Sequence, residues 1–96
     1  MLVNMRDLLA VAHASHFAVP AFNISNNMLL TGVIEASEEA SSPVILAIHP
    51  DELAFVRPSF VKTVIEEATK ASVPACIHLD HGSTIEQIML AIQCGF

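Results

Sequence analysis

The chain has 96 residues, 53% hydrophobic and 15% charged, with four Lys and Arg against ten Asp and Glu and a formal net charge of −6. This composition excludes a disordered chain, suits a single small domain over residues 1–96, and speaks against a nucleic-acid partner, since phosphate backbones are bound through a basic footprint. No apolar run approaches the ~20 residues of a membrane span and no cleavage-type leader precedes the first apolar stretch, so the expectation is a cytoplasmic protein with no membrane partner.

Residues Asn4 to Ala14 place Leu8, Leu9, Val11 and Ala12 on one helical stripe, which predicts a short leading helix with His13 and His16 at its end. Phe17–Phe22 reads as the first strand, although Pro20 removes one ladder donor. It ends in Asn23, and Ser25 or Asn26 is placed to cap the next helix. From Met28 to Ala40 the stripe Leu29, Val33, Ala36 and Ala40, widened by Leu30, predicts an amphipathic helix. Ser41-Ser42-Pro43 breaks it. Val44–Ile48 follows as a continuous apolar run, the pattern of a parallel strand covered on both faces.

That strand ends in His49-Pro50-Asp51-Glu52. Residues 51–58 read as a loop with room for a helical turn near Leu53–Val56, and Pro58-Ser59 opens a helix with Phe60, Val61, Val64, Ile65 and Ala68 inward. Glu66 and Lys70 form an i,i+4 pair on its outer face. Ala75–Leu79 is the third strand. Beyond Gly82, Ser83-Thr84-Ile85-Glu86 reads as a capping box for a helix with Ile85, Ile88, Met89 and Ile92 on its apolar face. Gly95 is in position to end that helix, and Phe96 would begin a fourth strand. The two cysteines, Cys76 and Cys94, read as reduced thiols.

The order is therefore a leading helix and then strand–helix three times, spaced as βα units, with no linker or low-complexity segment between them. Each strand changes from apolar to polar at its carboxyl end, where parallel α/β proteins bind ligands: at Asn23, at His49, and at Asp80 with His81. The third of these organises the chain. Side chains alternate along a strand, so Cys76, His78 and Asp80 share one face and Ala75, Ile77 and Leu79 the other.

His78, Asp80 and His81 could form a metal site, an acid–base pair or a structural knot at the strand end. Imidazole and carboxylate are both zinc ligands. His78 and His81, three apart, meet at one point only if the backbone turns sharply at Asp80, so one is expected to ligate and the other to hydrogen-bond. His49 reads either as a substrate contact or as a loop histidine. Asn23 reads either as a rim hydrogen-bonding residue or as a local strand stop. No glycine-rich phosphate loop or nucleophile elbow is present in these residues.

The segments VPAFNISN, EASEEASSPVILAI and ACIHLDHG, in this order and register, resemble the class II, zinc-dependent ketose-bisphosphate aldolases, nearest the fructose- and tagatose-bisphosphate branch. The resemblance covers essentially the whole chain. It implies an α/β fold of the (β/α)₈ TIM-barrel type, of which residues 1–96 would supply a leading helix and about three βα units of a single barrel domain. It also implies a homo-oligomeric lyase of glycolysis or related carbohydrate metabolism. Its substrate would be a small-molecule sugar, fructose 1,6- or tagatose 1,6-bisphosphate, split into dihydroxyacetone phosphate and glyceraldehyde 3-phosphate. By this resemblance Asp80 is the catalytic proton carrier, His81 a zinc ligand, and Asn23 a residue near the substrate. His49, followed by Pro50, stands where the family carries a small hydroxyl residue near a substrate phosphate. The remaining zinc histidines and the phosphate loop would lie beyond residue 96. Two other readings compete: a non-catalytic barrel fragment that binds a sugar phosphate or assembles with other pieces, and another metal-dependent barrel enzyme such as a hydrolase.

Overall fold

The computed structural model describes residues 1–96 as α1 (Met5–Ala14), β1 (Ala21–Asn23), α2 (Asn27–Glu39), β2 (Val44–Ile48), α3 (Pro50–Lys70), β3 (Ala75–Leu79) and α4 (Ile85–Cys94). The three strands form one parallel sheet in the order β1-β2-β3. β2 is central and buried along its whole length, as its unalternating apolar sequence requires. Val44, Leu46 and Ile48 meet Leu30 and Ile34 of α2 and Leu53, Val61, Val64 and Ala68 of α3 in the main core. Ile45 points to the opposite face, where Leu8 of α1 and Cys76 of β3 close a smaller cluster with Val3, Met5 and Val19 around it. The leading helix thus covers the amino-terminal half of the second sheet face and leaves the carboxyl ends of the strands open.

The register across the sheet is Ala21–Ile45–Cys76, Phe22–Leu46–Ile77 and Asn23–Ala47–His78, with Ile48 opposite Leu79. Beyond the named strands, Ile24 N–H donates to Ala47 O (2.9 Å) and Asp80 N–H to Ile48 O (3.0 Å), so the ladder continues to the rim. On the outer edge of β3 only Ala75 is paired: Leu2 bridges it in parallel, Val3 N–H donates to its carbonyl (2.9 Å) and Met1 O accepts from its N–H (2.9 Å).

Several sequence expectations hold. Asn26 caps α2 by accepting from Leu29 N–H (2.9 Å), Glu66 and Lys70 pair at 2.8 Å, and Gly95 ends α4 in the left-handed region at φ 99°. A Cβ there would also come within 3.0 Å of Ile65 Cδ1. Both cysteines are free thiols, and burial pushes the Cys76 thiol up from its ordinary pKa.

Other expectations are corrected. β1 is Ala21–Asn23 rather than Phe17–Phe22: Pro20 supplies no ladder donor and contributes only its carbonyl, which accepts from Ile45 N–H (2.9 Å). The segment expected as a loop over residues 51–58 is helical from Pro50, and the chain kinks at Arg57 (φ 66°, ψ 164°) before Pro58. The residues α2 buries are Leu30, Ile34 and Ser37, one position on from the expected stripe; Leu29 faces an open groove with Phe22, Gly32, Val33 and Ala36. The capping box of α4 is made by Thr84 and Gln87 instead of Ser83 and Glu86. Thr84 Oγ1 accepts from Gln87 N–H (3.2 Å), and Gln87 Oε1 accepts from the backbone N–H of Thr84 (3.3 Å) and of Ser83 (2.9 Å). The apolar face of α4 is exposed at Ile85, Ile88, Met89 and Ile92, with only Ala91 buried. Phe96 starts no strand. Its N–H returns to Ala91 O (3.1 Å) and its side chain packs against the core.

Candidate functional site at the carboxyl ends of the strands

β3 carries Cys76, His78 and Asp80 on the face shared with α1, while Ala75, Ile77 and Leu79 pack into the main core. The pleat produces this alternation. At the strand end the chain turns sharply. His81 takes φ 55°, an uncommon conformation for a residue with a Cβ, and Gly82 follows where a Cβ would come within 2.7 Å of Leu79 Cδ2. That turn brings the third of the expected polar groups back onto the second.

Asp80 ends between two imidazoles: His78 Nε2 lies 3.9 Å from Oδ1 and His81 Nε2 lies 3.7 Å from Oδ2. The Asp80 side chain is 30% exposed, His78 43% and His81 74%, so the carboxylate is the most sheltered of the three. None of the chain's Lys or Arg side chains pairs with it.

His49 enters from the neighbouring strand. Its ring centroid lies 5.6 Å from that of His81, with the planes tilted by 50°. It also caps α3: Nδ1 accepts from Asp51 N–H (3.2 Å) and its own N–H donates to Glu52 Oε2 (3.1 Å). This capping box, with Pro50 in the first turn, was legible in His49-Pro50-Asp51-Glu52 and marks a helix start that periodicity alone did not reveal.

Asn23 lies lower than the other three. It stands level with Ala47 and His78, two residues below His49 along the sheet, and is exposed at the edge strand. The structure thus brings His49, Asp80 and His81 together, adds His78 to them, and sets Asn23 on the row beneath. No three His, Cys, Asp or Glu side chains gather closely enough to hold a metal ion. No helix is long and apolar enough to cross a membrane.

A parallel α/β sheet with its acid–base side chains collected at the carboxyl ends of the strands is the arrangement of an α/β enzyme. Comparison with known proteins narrows that class. The family model described as fructose-bisphosphate aldolase class-II matches residues 3–96, and the chain belongs to that family, a family of lyases. It is 38% identical to a fructose-bisphosphate aldolase of Thermus caldophilus over 96 residues, covering 100% of this chain and 32% of the relative. It is 37% identical to a 6-phospho-5-dehydro-2-deoxy-D-gluconate aldolase of Halalkalibacterium halodurans, covering 99% of this chain and 34% of the relative. The crystal structure of the YdjI aldolase from Escherichia coli K12 superposes with a TM-score of 0.94 at 36% identity, over 100% of this chain and 38% of that one. The chain therefore spans about a third of the length of the relatives it matches.

Proposed function

We propose that residues 1–96 are the amino-terminal part of a (β/α)₈ barrel that performs reversible aldol cleavage of a phosphorylated ketose. The observation that carries this reading is the Asp80–His81 pair at the sharp turn ending β3, in a chain whose family membership spans residues 3–96. The bare outer edge of β3 and the uncovered apolar face of α4 support the barrel: both are surfaces that a following βα unit would cover.

In this reading Asp80 takes the proton from the substrate hydroxyl whose loss breaks the carbon–carbon bond, and returns it in the condensation direction. Its position, sheltered and without a cationic side chain of Lys or Arg beside it, suits a group that must exchange a proton with substrate. The imidazole and carboxylate donors suit zinc, but a catalytic zinc takes three protein ligands and this chain gathers no such set. His81 would be one ligand, with the others outside residues 1–96. Zinc, when bound, polarises the ketone carbonyl. His49, whose Nδ1 is taken up by the Asp51 amide, presents Nε2 to a substrate oxygen, and Asn23 contacts substrate from the row below.

The substrate assigned is a ketose 1,6-bisphosphate, fructose or tagatose, giving dihydroxyacetone phosphate and glyceraldehyde 3-phosphate. A second reading, 6-phospho-5-dehydro-2-deoxy-D-gluconate as substrate, is favoured by the similar identity to relatives named for each reaction. The full-length protein, purified with zinc, is assayed for triose phosphate release from each of the three substrates. Cleavage of a ketose bisphosphate supports the first reading, and cleavage of the deoxygluconate derivative alone supports the second. No cleavage of any overturns the aldolase reading and leaves the hydrolase and binding-module alternatives. We assign the complete protein to carbohydrate metabolism in the cytoplasm, as a homo-oligomer.

A further inference from the structure

The row of the sheet that carries His49 and Asp80 has a third member, which the proposed chemistry leaves unused. Asn23, Ala47 and His78 stand in register on adjacent strands, so two residues further along the same row holds Ser25, His49 and Asp80. The backbone keeps this order beyond the named strands. Ile24 N–H donates to Ala47 O (2.9 Å) and Asp80 N–H to Ile48 O (3.0 Å), and Asn26, after Ser25, is still extended. Alternation then fixes the face. Ile24 and Ile48 are fully buried in the main core, so Ser25 and His49, the residues that follow them, turn to the opposite face, which bears Ile45 and Cys76 lower down and Asp80 at the rim. Ser25 has no structural task there. The α2 cap for which its hydroxyl competes is made by Asn26, and the Ser25 side chain is only half-buried.

We propose that Ser25 is a specificity-determining residue: its hydroxyl bonds a hydroxyl or carbonyl oxygen of the sugar chain, away from the oxygen at which Asp80 exchanges a proton. The proposal rests on the aldolase reading for the class of substrate. Adjacent strands lie ~4.8 Å apart, so the backbones at Ser25 and Asp80, two strands apart, are separated by roughly 10 Å. The two side chains therefore address different oxygens of one open-chain sugar lying across β1, β2 and β3, with His49 between them. A serine hydroxyl both donates and accepts, as a sugar hydroxyl does. The partner is an uncharged oxygen rather than a phosphate, because the row of Ser25, His49 and Asp80 holds a carboxylate and no Lys or Arg.

The test uses the full-length protein with zinc, and fructose 1,6-bisphosphate, tagatose 1,6-bisphosphate and 6-phospho-5-dehydro-2-deoxy-D-gluconate as probes. On whichever probe the parent cleaves, Ser25→Ala should lower kcat/KM about 2- to 10-fold, the worth of one neutral hydrogen bond, with zinc content and melting temperature unchanged. Ser25→Thr, which keeps the hydroxyl, should recover most of that loss. An unchanged kcat/KM in Ser25→Ala overturns the proposal, as does a Ser25→Thr variant equally impaired or a loss that tracks a lowered melting temperature. A crystal structure of Asp80→Ala with the uncleaved probe bound gives a readout independent of activity. Ser25 Oγ should lie within hydrogen-bond distance of a sugar oxygen, and a hydroxyl turned to water or to α2 overturns the assignment. A parent that cleaves none of the probes overturns the aldolase reading and the Ser25 assignment with it, whereas an active parent with an indifferent Ser25→Ala overturns the Ser25 assignment alone.

Discussion

Replacing Arg57 by glycine should stabilise the protein. Arg57 sits at the kink of α3 with φ 66° and ψ 164°, a combination that only glycine adopts without strain, and Pro58 behind it disfavours the helical alternative. Such a residue stores about 1–3 kcal/mol. Glycine returns about 0.4–1 kcal/mol of that by giving the unfolded chain more freedom, so the net gain expected is about 1–2 kcal/mol. Arg57→Ala is the control, because it removes the same charge from a chain of net charge −6 but retains the Cβ that causes the strain. Urea unfolding of the full-length protein is the assay: Arg57→Gly should have the higher midpoint at an unchanged slope, with Arg57→Ala close to the parent. Equal midpoints for the two variants would refute the reasoning, since they differ in the very feature held responsible.

Four further outcomes are expected. Asp80→Ala in the full-length protein should lower kcat about 10²- to 10⁴-fold while zinc content by elemental analysis stays at the parent level; loss of zinc would move Asp80 into the ligand set. His81→Ala should lose zinc and activity together, and full zinc occupancy in that variant would remove His81 from the ligands. Glu38 accepts hydrogen bonds from the backbone N–H (2.7 Å) and hydroxyl (3.0 Å) of Ser72, which hold its carboxyl below the ordinary 4.5. A lowered folded pKa stabilises the fold above the unfolded value and loses that contribution as pH falls through the folded one. The stability difference between the parent and Glu38→Gln, followed by thermal melts, should therefore shrink as pH drops below 4.5, and a difference independent of pH contradicts the assignment. Residues 1–96 expressed alone, with Ile85, Met89 and Ile92 bare on α4 and Phe22 and Met28 bare near the edge strand, should associate and show no aldol cleavage. A monodisperse monomer with a cooperative melt contradicts the first expectation, and zinc-dependent cleavage the second.

Much of the candidate site could be read from residue order. The apolar-to-polar switch at Asp80-His81-Gly82 places a carboxylate and an imidazole at a strand end, and strand alternation puts His78 and Asp80 on one face, as observed. The phase of the three strand ends could not be read in the same way. Asn23, His49 and Asp80 each end a strand, yet the pairing sets Asn23 level with His78 and two residues below His49. Register is a relation between two strands separated by about a βα unit of chain: the apolar pattern fixes which face each buries, but how far one is shifted along the other follows from how the intervening helix packs.

What the sequence determined by itself was local: the alternation of strands and helices, the buried character of Val44–Ile48, a cap for α2 at Ser25 or Asn26, of which Asn26 makes it, and the Gly95 stop. Each depends on side-chain chemistry within a few residues, so a short window contains the whole cause. Only the tertiary structure decided which stripe of α2 turns inward, because Leu30 and Leu29 are equally apolar and the sheet contacts one of them. It alone decided that the turn at His81 closes on Asp80, since that approach requires a left-handed residue held between β3 and α4. Burial and proximity are relations between surfaces distant along the chain, and they exist only once the strands have paired.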